Sequence, residues 1–125
     1  MSDAPHVGQD FGDQPIGVIL EGWNLTNHQV VEISPEQLTH KQVQRARTGR
    51  KLTLKMKQKL ARSVNFAVWG RLTNEEREAF TEYFPKHLFS YNKGYDAEAG
   101  DPNKGIYDDL GSRKVRPDFL KELGE

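Results

Sequence analysis

The stretch LTHKQVQRARTGRKLT, residues 38–53, decides the fold. Its Thr39 carries a side-chain oxygen that can accept a hydrogen bond from a first-turn N–H, so it predicts the start of a helix over about residues 40–48. Gly49 ends this helix, because glycine adopts the left-handed conformation after a helix without a Cβ clash. A capped helix followed at once by a glycine turn indicates an α-helical domain built from short elements.

A second helix is predicted directly after this turn, over about residues 54–68, with Thr53 as its N-cap. Its apolar residues recur at helical spacing and define one buried face: Met56, Leu60, Val64, Ala67 and Val68. Lys and Arg largely occupy the remaining faces. This pattern is typical of an amphipathic helix that packs on a small core.

Further short helices are predicted on both sides of this pair. Thr26 offers an N-cap for a helix over about residues 27–33, and another helix is expected from about residue 73 to 83. Residues 16–25 are apolar but contain two glycines, so a helix and an extended segment both remain open. The expected fold class is all-α, a small bundle of four or five short helices with flexible termini.

Composition divides the chain into three parts. Residues 1–15 are rich in Gly, Asp, Gln and Pro and are expected to form a flexible arm. Residues 16–91 form the helical domain. Residues 92–125 are expected to be a mostly disordered tail, because their few apolar groups bury too little surface to offset the entropy of ordering.

Five aromatic residues are expected to pack in the core and not to form a base-stacking platform. They are Phe80, Tyr83, Phe84, Phe89 and Tyr91. The two tryptophans, Trp23 and Trp69, are expected to be packing residues as well.

Charge is distributed unevenly along a chain whose net charge is zero. Residues 37–74, which we call the basic block, carry ten Lys and Arg residues and no acid. The ten are Lys41, Arg45, Arg47, Arg50, Lys51, Lys55, Lys57, Lys59, Arg62 and Arg71. Such a block produces a local positive potential that attracts a polyanion. The alternative is a solvated helix surface whose acids lie elsewhere in the chain.

Several classes of protein and site are not supported by the sequence. The absence of cysteine excludes disulfides and thiolate metal sites. The histidines lack the spacing of a metal-binding pair and the serines lack a nucleophile-elbow context, so we expect no metal, no cofactor and no enzyme active site. The N-terminus does not resemble a secretory signal, and no run approaches the roughly 20 apolar residues of a membrane span. A cytoplasmic protein with no membrane partner is expected.

The helix predicted over residues 40–48 has an apolar back and a polar front. Val43 and Ala46 face the core, whereas the outward side chains are long and form hydrogen bonds: His40, Lys41, Gln44, Arg45 and Thr48. The DNA major groove is about 12 Å wide and admits one helix, and side chains of these types contact base edges there. A short preceding helix with a tight connection would complete a helix-turn-helix.

Residues 25–69 resemble the phage-repressor-like helix-turn-helix family, of the lambda-repressor or XRE type. Residues 25–31, LTNHQVV, match the family's helix before the recognition helix. The recognition helix and its flanks match at the N-cap, the central apolar residue, the terminal glycine, the basic residue after it and the next N-cap: Thr39, Val43, Gly49, Arg50 and Thr53. The family's fourth helix resembles the segment with Leu60, Ala61 and Val64. The family often has Glu where this chain has Arg47.

The resemblance implies a DNA-binding protein, a transcriptional regulator with a basic recognition helix. It implies base contacts from four residues: His40, Lys41, Gln44 and Arg45. It implies phosphate contacts from four others: Arg50, Lys51, Thr53 and Lys55. DNA is expected as partner in preference to RNA, and a homodimer is left open. The alternative function is an RNA-binding protein or a protein-interaction adaptor that uses the same basic face without base readout.

Overall fold

The computed structural model describes residues 11–113, and within that range the regular elements are helices. They are α1 (Pro15–Gly22), α2 (Asn27–Ile33), α3 (His40–Thr48), α4 (Leu54–Trp69), α5 (Asn74–Ala79), α6 (Pro85–Leu88) and α7 (Lys104–Arg113). The predicted all-α class is confirmed. There are more helices than the four or five expected, because α1 is helical despite its glycines and α7 lies in the segment where we expected disorder. In addition, the helix expected over about residues 73–83 ends at Ala79, and the short α6 follows it as a separate helix.

The ends of α3 are set by the local signals that the sequence carries. The Thr39 hydroxyl accepts a hydrogen bond from the N–H of Gln42 at 3.1 Å, and the Gln42 side chain accepts one from the N–H of Thr39 at 2.9 Å. Gly49 follows the helix with a φ of +96°. Thr53 caps α4 in the same way by accepting from the N–H of Met56 at 3.1 Å. The predicted bounds of α3 are therefore confirmed.

The core is centred on α4. Leu60 and Val64 are fully buried, at 0% exposure, and α4 packs against α2 and α6. Helix α3 turns Val43 and Ala46 inward and packs against α1 and α2. The apolar backs of α3 and α4 thus join one core, and their polar faces are left at the surface.

The aromatic residues divide between core and surface. Tyr83 and Phe89 are buried, as expected, and the Nε1–H of Trp23 donates to the Tyr83 hydroxyl at 2.9 Å. Burial raises the pKa of Tyr83. Trp69 and Phe84 are exposed, at 43% and 47%, so the expectation that both pack in the core is wrong. Trp69 lies at the last position of α4, beyond the inward-facing stripe of that helix.

Residues 11–14 differ from the flexible arm that their composition predicted. The N–H of Phe11 donates to the carbonyl of Gly49 at 2.8 Å, and the N–H of Gln14 donates to the carbonyl of Arg47 at 2.9 Å. The segment therefore lies across the C-terminal end of α3 and supplies donors to carbonyls that the helix leaves without intrahelical partners.

Gln14 is buried, at 2% exposure, although it is a polar residue in a polar stretch. Its side-chain oxygen accepts hydrogen bonds from the N–H and the hydroxyl of Ser90, at 2.6 and 3.0 Å. Ser90, 76 positions away, satisfies the carboxamide oxygen, so local composition carries no sign of this contact. The rest of the expected arm, residues 1–10, lies outside the described residues.

Residues 92–113 also differ from the expected disorder. Asn103 is buried and pairs with the backbone of Thr81, accepting from its N–H and donating to its carbonyl, both at 2.7 Å. Tyr107 on α7 packs edge-on against Trp23, with the ring centroids 5.3 Å apart. Single polar and aromatic residues make these contacts, which average composition does not predict. Residues 114–125 of the expected tail lie outside the described residues.

Gly22 allows α7 to approach α1. A Cβ at this position would lie 2.6 Å from Cε1 of Tyr107, which is too close for any side chain. The glycine that left the state of residues 16–25 open in the sequence is therefore a packing residue at the end of a helix.

We expect Leu60→Ala to lower the free energy of unfolding by about 2–4 kcal/mol, because it leaves a cavity where α4 meets its neighbours. Leu54→Ala in the same helix is the matched control, since Leu54 is 57% exposed. The control should change stability by no more than about 0.5 kcal/mol. Chemical denaturation followed by circular dichroism measures both changes, and equal midpoints for the two variants would contradict the burial of Leu60.

Candidate nucleic-acid interface

The polar face of α3 is open to solvent. The five side chains expected to point outward are all exposed: His40, Lys41, Gln44, Arg45 and Thr48. Val43 and Ala46 hold the opposite side of the helix in the core. The helix therefore offers donors and positive charge along one side without exposing its apolar back.

Part of the basic block is neutralised by an ion pair at the protein surface. Arg62 forms two hydrogen bonds with Glu36, from Nε to Oε2 at 2.7 Å and from Nη2 to Oε1 at 2.8 Å. The Arg62 guanidinium lowers the pKa of Glu36, and Lys59 lowers it further through its charge. These two cations consequently lie next to an anion supplied by the α2–α3 connection.

Lys57 and Arg71 are partly withdrawn from solvent as well. The Lys57 ammonium donates to Oδ1 of Asn92 at 2.6 Å and lies 5.0 Å from the centre of the Tyr91 ring. Burial lowers the pKa of Lys57 and also that of Arg71. Both groups are thus less available to an external anion than a fully solvated cation.

Four cations of the block remain exposed and without a hydrogen bond or ion pair to any described residue. They are Lys41, Arg45, Lys51 and Lys55, which we call the basic ridge. Lys41 and Arg45 are one turn apart on α3, Lys51 lies in the connection after it, and Lys55 lies in the first turn of α4. All four are among the residues that the sequence singled out for contact with nucleic acid.

Tyr91 anchors the connection that carries Lys51. Its hydroxyl accepts a hydrogen bond from the N–H of Leu52 at 3.2 Å and donates to the carbonyl of Arg50 at 3.3 Å. Its ring stacks on Phe11, with the centroids 4.3 Å apart. Burial raises the pKa of Tyr91, so the hydroxyl stays protonated at neutral pH and keeps donating.

The remaining predicted phosphate contacts have structural roles in this connection. Arg50 is half-buried, and its N–H donates to the carbonyl of Arg45 at 3.0 Å. Thr53 is exposed, and its hydroxyl caps α4. The Arg50 N–H and the Thr53 hydroxyl therefore stabilise the backbone of the connection between α3 and α4, which carries Lys51.

Sequence reasoning missed a chain of hydrogen bonds that runs across three helices to Gln44. Arg47 donates from Nη2 to Glu21 at 3.2 Å and from Nη1 to Oδ1 of Asn27 at 2.8 Å. Asn27 in turn donates from Nδ2 to Oε1 of Gln44 at 3.0 Å. The Arg47 side chain is only 23% exposed. No local pattern in the sequence indicates these hydrogen bonds.

Gln44 and Arg47 line an open cleft of about 950 Å³ between α1, α2 and α3. Its other walls include two acids, Asp13 and Glu21, and the start of α2 at Asn27. The cleft therefore contains two acids, one of them paired with Arg47, and shares Gln44 with the polar face of α3.

The histidines near α3 do not form a metal site. The rings of His28 and His40 lie 5.4 Å apart, and Nε2 of His28 is 3.3 Å from Glu32. Across residues 11–113, no three His, Asp or Glu side chains converge as metal ligands would. Over the same residues, no helix is both long and apolar enough to cross a bilayer.

Comparison of the chain with protein-family models, curated proteins and solved structures returned no match. Any functional assignment therefore depends on the side chains and charges described above.

We expect Tyr91→Phe to loosen the connection after α3, because the variant loses both hydrogen bonds of the hydroxyl and keeps the ring. The free energy of unfolding should fall by about 1–2 kcal/mol. Hydrogen exchange at the Leu52 N–H should also become faster.

The control for this variant is Tyr95→Phe, since the Tyr95 hydroxyl has no partner among residues 11–113. It should leave stability and exchange unchanged. An unaltered exchange rate at Leu52 in Tyr91→Phe would show that the hydroxyl does not hold this backbone.

Proposed function

We propose that this protein binds duplex DNA as a transcriptional regulator, with α2 and α3 as a helix-turn-helix and α3 as the recognition helix. The observation that carries the proposal is the basic ridge beside the polar face of α3. Its four cations have no partner among the described residues, whereas other cations of the block are paired or partly buried.

The dimensions of α3 support entry into a major groove. The helix has nine residues and is therefore about 14 Å long. The groove is about 12 Å wide and admits a helix whose outer side chains reach base edges. The residues placed to do so are those of the exposed face: His40, Lys41, Gln44 and Arg45.

The turn after α3 supports contact with the phosphate backbone. Lys51 and Lys55 flank Thr53, at the N-terminus of a 16-residue helix. The unsatisfied N–H groups and the dipole of a helix N-terminus favour an anion there. Cations on either side of that terminus would position a DNA strand while α3 contacts the bases.

The two alternatives predict different ligands for the same face. An RNA-binding protein would use the ridge without reading bases in a major groove that A-form RNA makes inaccessible. A protein-interaction adaptor would use it to hold an acidic partner. The exposed donors of α3 favour DNA, because base readout needs hydrogen-bonding groups in addition to charge.

We expect the affinity for duplex DNA to fall steeply with salt, since each neutralised phosphate contributes about −0.9 to the slope of log K against log salt concentration. Lys55→Ala should reduce the magnitude of that slope by about one. Arg62→Ala removes the same formal charge but should change the slope much less, because Glu36 holds the Arg62 guanidinium and keeps it from contacting a phosphate. Fluorescence anisotropy over a salt series measures all three. No binding at low salt would favour the adaptor, and equal effects of the two variants would mean that internal pairing does not select the contacting cations.

We further expect base discrimination to depend on α3 and not on α4. On a duplex enriched from a random pool, Arg45→Ala should lose about 1–3 kcal/mol of preference for that duplex over random sequence. Lys55→Ala should weaken both duplexes equally, because a phosphate contact carries no sequence information. A pool that yields no preferred duplex would favour binding without base readout, as in the RNA alternative.

A further inference from the structure

The hydrogen bonds that end at Gln44 have a direction. A guanidinium has five N–H donors and no acceptor. Because Nη1 of Arg47 contacts the Asn27 side chain at 2.8 Å, the group that faces it must be the Asn27 oxygen. The Asn27 NH₂ must then face the other way, where it meets Gln44 at 3.0 Å.

The same logic orients the amide of Gln44. An NH₂ group only donates, so the atom of Gln44 that faces Asn27 must be its oxygen. The Gln44 NH₂ is left at the exposed end of the side chain, with no partner among residues 11–113. The two orientations of an isolated glutamine amide differ little in energy, but here Arg47 selects one of them through Asn27.

Arg47 is itself held in place. Its Nη2 is 3.2 Å from Glu21 on α1, and its side chain is largely covered. The backbone carbonyl of Arg47 accepts from the N–H of Gln14 at 2.9 Å. The guanidinium therefore has a fixed position between α1 and α2. Because it cannot accept a hydrogen bond, it sets the direction of every hydrogen bond from Arg47 to Gln44.

We propose that Gln44 selects a base with a keto oxygen over a base with an amino group at the position it contacts in the major groove. Guanine O6 and thymine O4 accept hydrogen bonds, whereas adenine N6 and cytosine N4 donate them. At the exocyclic position an outward NH₂ pairs with the first two groups and opposes the last two, and the selection applies to this position because the N7 atoms of guanine and adenine both accept and do not distinguish the two purines. The inference rests on the proposed DNA-binding function and deepens it by naming the class of base that one residue selects.

Asn27→Asp reverses the direction of the hydrogen bond between residue 27 and Gln44. A carboxylate accepts from Arg47 with one oxygen and from Gln44 with the other, so the Gln44 amide turns and presents its oxygen outward. The preference of wild-type protein for guanine or thymine should then become a preference for adenine or cytosine. Asn27→Ala removes the hydrogen bond to Gln44 without reversing it, so the preference between keto and amino bases should become weaker.

The matched control is Asn24→Asp. Asn24 is exposed and lines the same cleft, and no hydrogen bond joins its side chain to a described residue. The variant adds the same negative charge near the interface and should weaken all duplexes alike. Comparing ratios of affinity between duplexes removes this common effect of charge.

The test has one measurement on the protein alone and one with DNA. Side-chain amide exchange by NMR should show protected Asn27 Nδ2 protons and unprotected Gln44 Nε2 protons in the wild type, and protected Gln44 Nε2 protons in Asn27→Asp. The DNA probes are four duplexes, derived from the enriched one, that differ only at the pair whose preference Gln44→Ala removes. Wild-type protein should bind the keto bases on the order of tenfold more tightly than the amino bases.

The outcomes separate the two proposals. A pool without a preferred duplex overturns the proposed function, and the base selection with it. A preferred duplex at which wild-type protein selects adenine or cytosine, or at which Asn27→Asp leaves the preference unchanged, overturns the inference alone. Protected Gln44 Nε2 protons in the wild type would overturn it before any DNA is added. If Asn27→Asp fails to fold, Asn27→Ala tests the inference. An unchanged preference between keto and amino bases in that variant would overturn it.

Discussion

The left-handed turn at Gly49 is the constraint on which the arrangement of the basic face depends. Its φ is +96°, which side chains rarely tolerate, and a Cβ there would collide with the backbone of Gly12. The turn stops α3 and sends the chain through Lys51 to the start of α4. It also leaves room for residues 11–14 to cross the end of α3 and bond to its carbonyls. One glycine therefore sets both the length of the exposed helix and the direction of the charges that follow it.

Internal pairing gives a chain of zero net charge a local basic surface. Glu36 takes up the charge of Arg62, and Glu21 contacts Arg47, although both acids precede the basic block in the sequence. Acids from outside the basic block thus neutralise its inward and lateral cations. The cations of the ridge lie on the polar face of α3 and at the start of α4, where no described acid pairs with them. This selective pairing decides which cations of the basic block remain available at the surface.

Arg47 links the packing of three helices to the chemistry of one exposed side chain. A carboxylate at this position would accept and not donate, and would turn the Asn27 amide the other way. The hydrogen-bonding character of Gln44 would then be inverted without any change in Gln44 itself. A largely covered residue can in this way determine what an exposed residue presents to a ligand.

The sequence by itself determined the helices from α2 to α4, because caps, a terminal glycine and apolar spacing are local signals that act within a few residues. Thr39, Gly49 and Thr53 mark boundaries that the structure reproduces, and the exposed face of α3 follows from the same spacing. Only the tertiary structure decided the roles of Gln14, Asn103 and Tyr107, whose partners lie between about 20 and 85 positions away in residues that no local pattern connects to them. The same holds for the site. Residue type and helical phase placed the basic ridge, but which cations are neutralised, and which way the Gln44 amide points, depend on contacts between helices. Hydrogen-bond direction and ion pairing depend on which atoms folding brings together. A single sequence therefore identifies the donors and acceptors but not which of them pair.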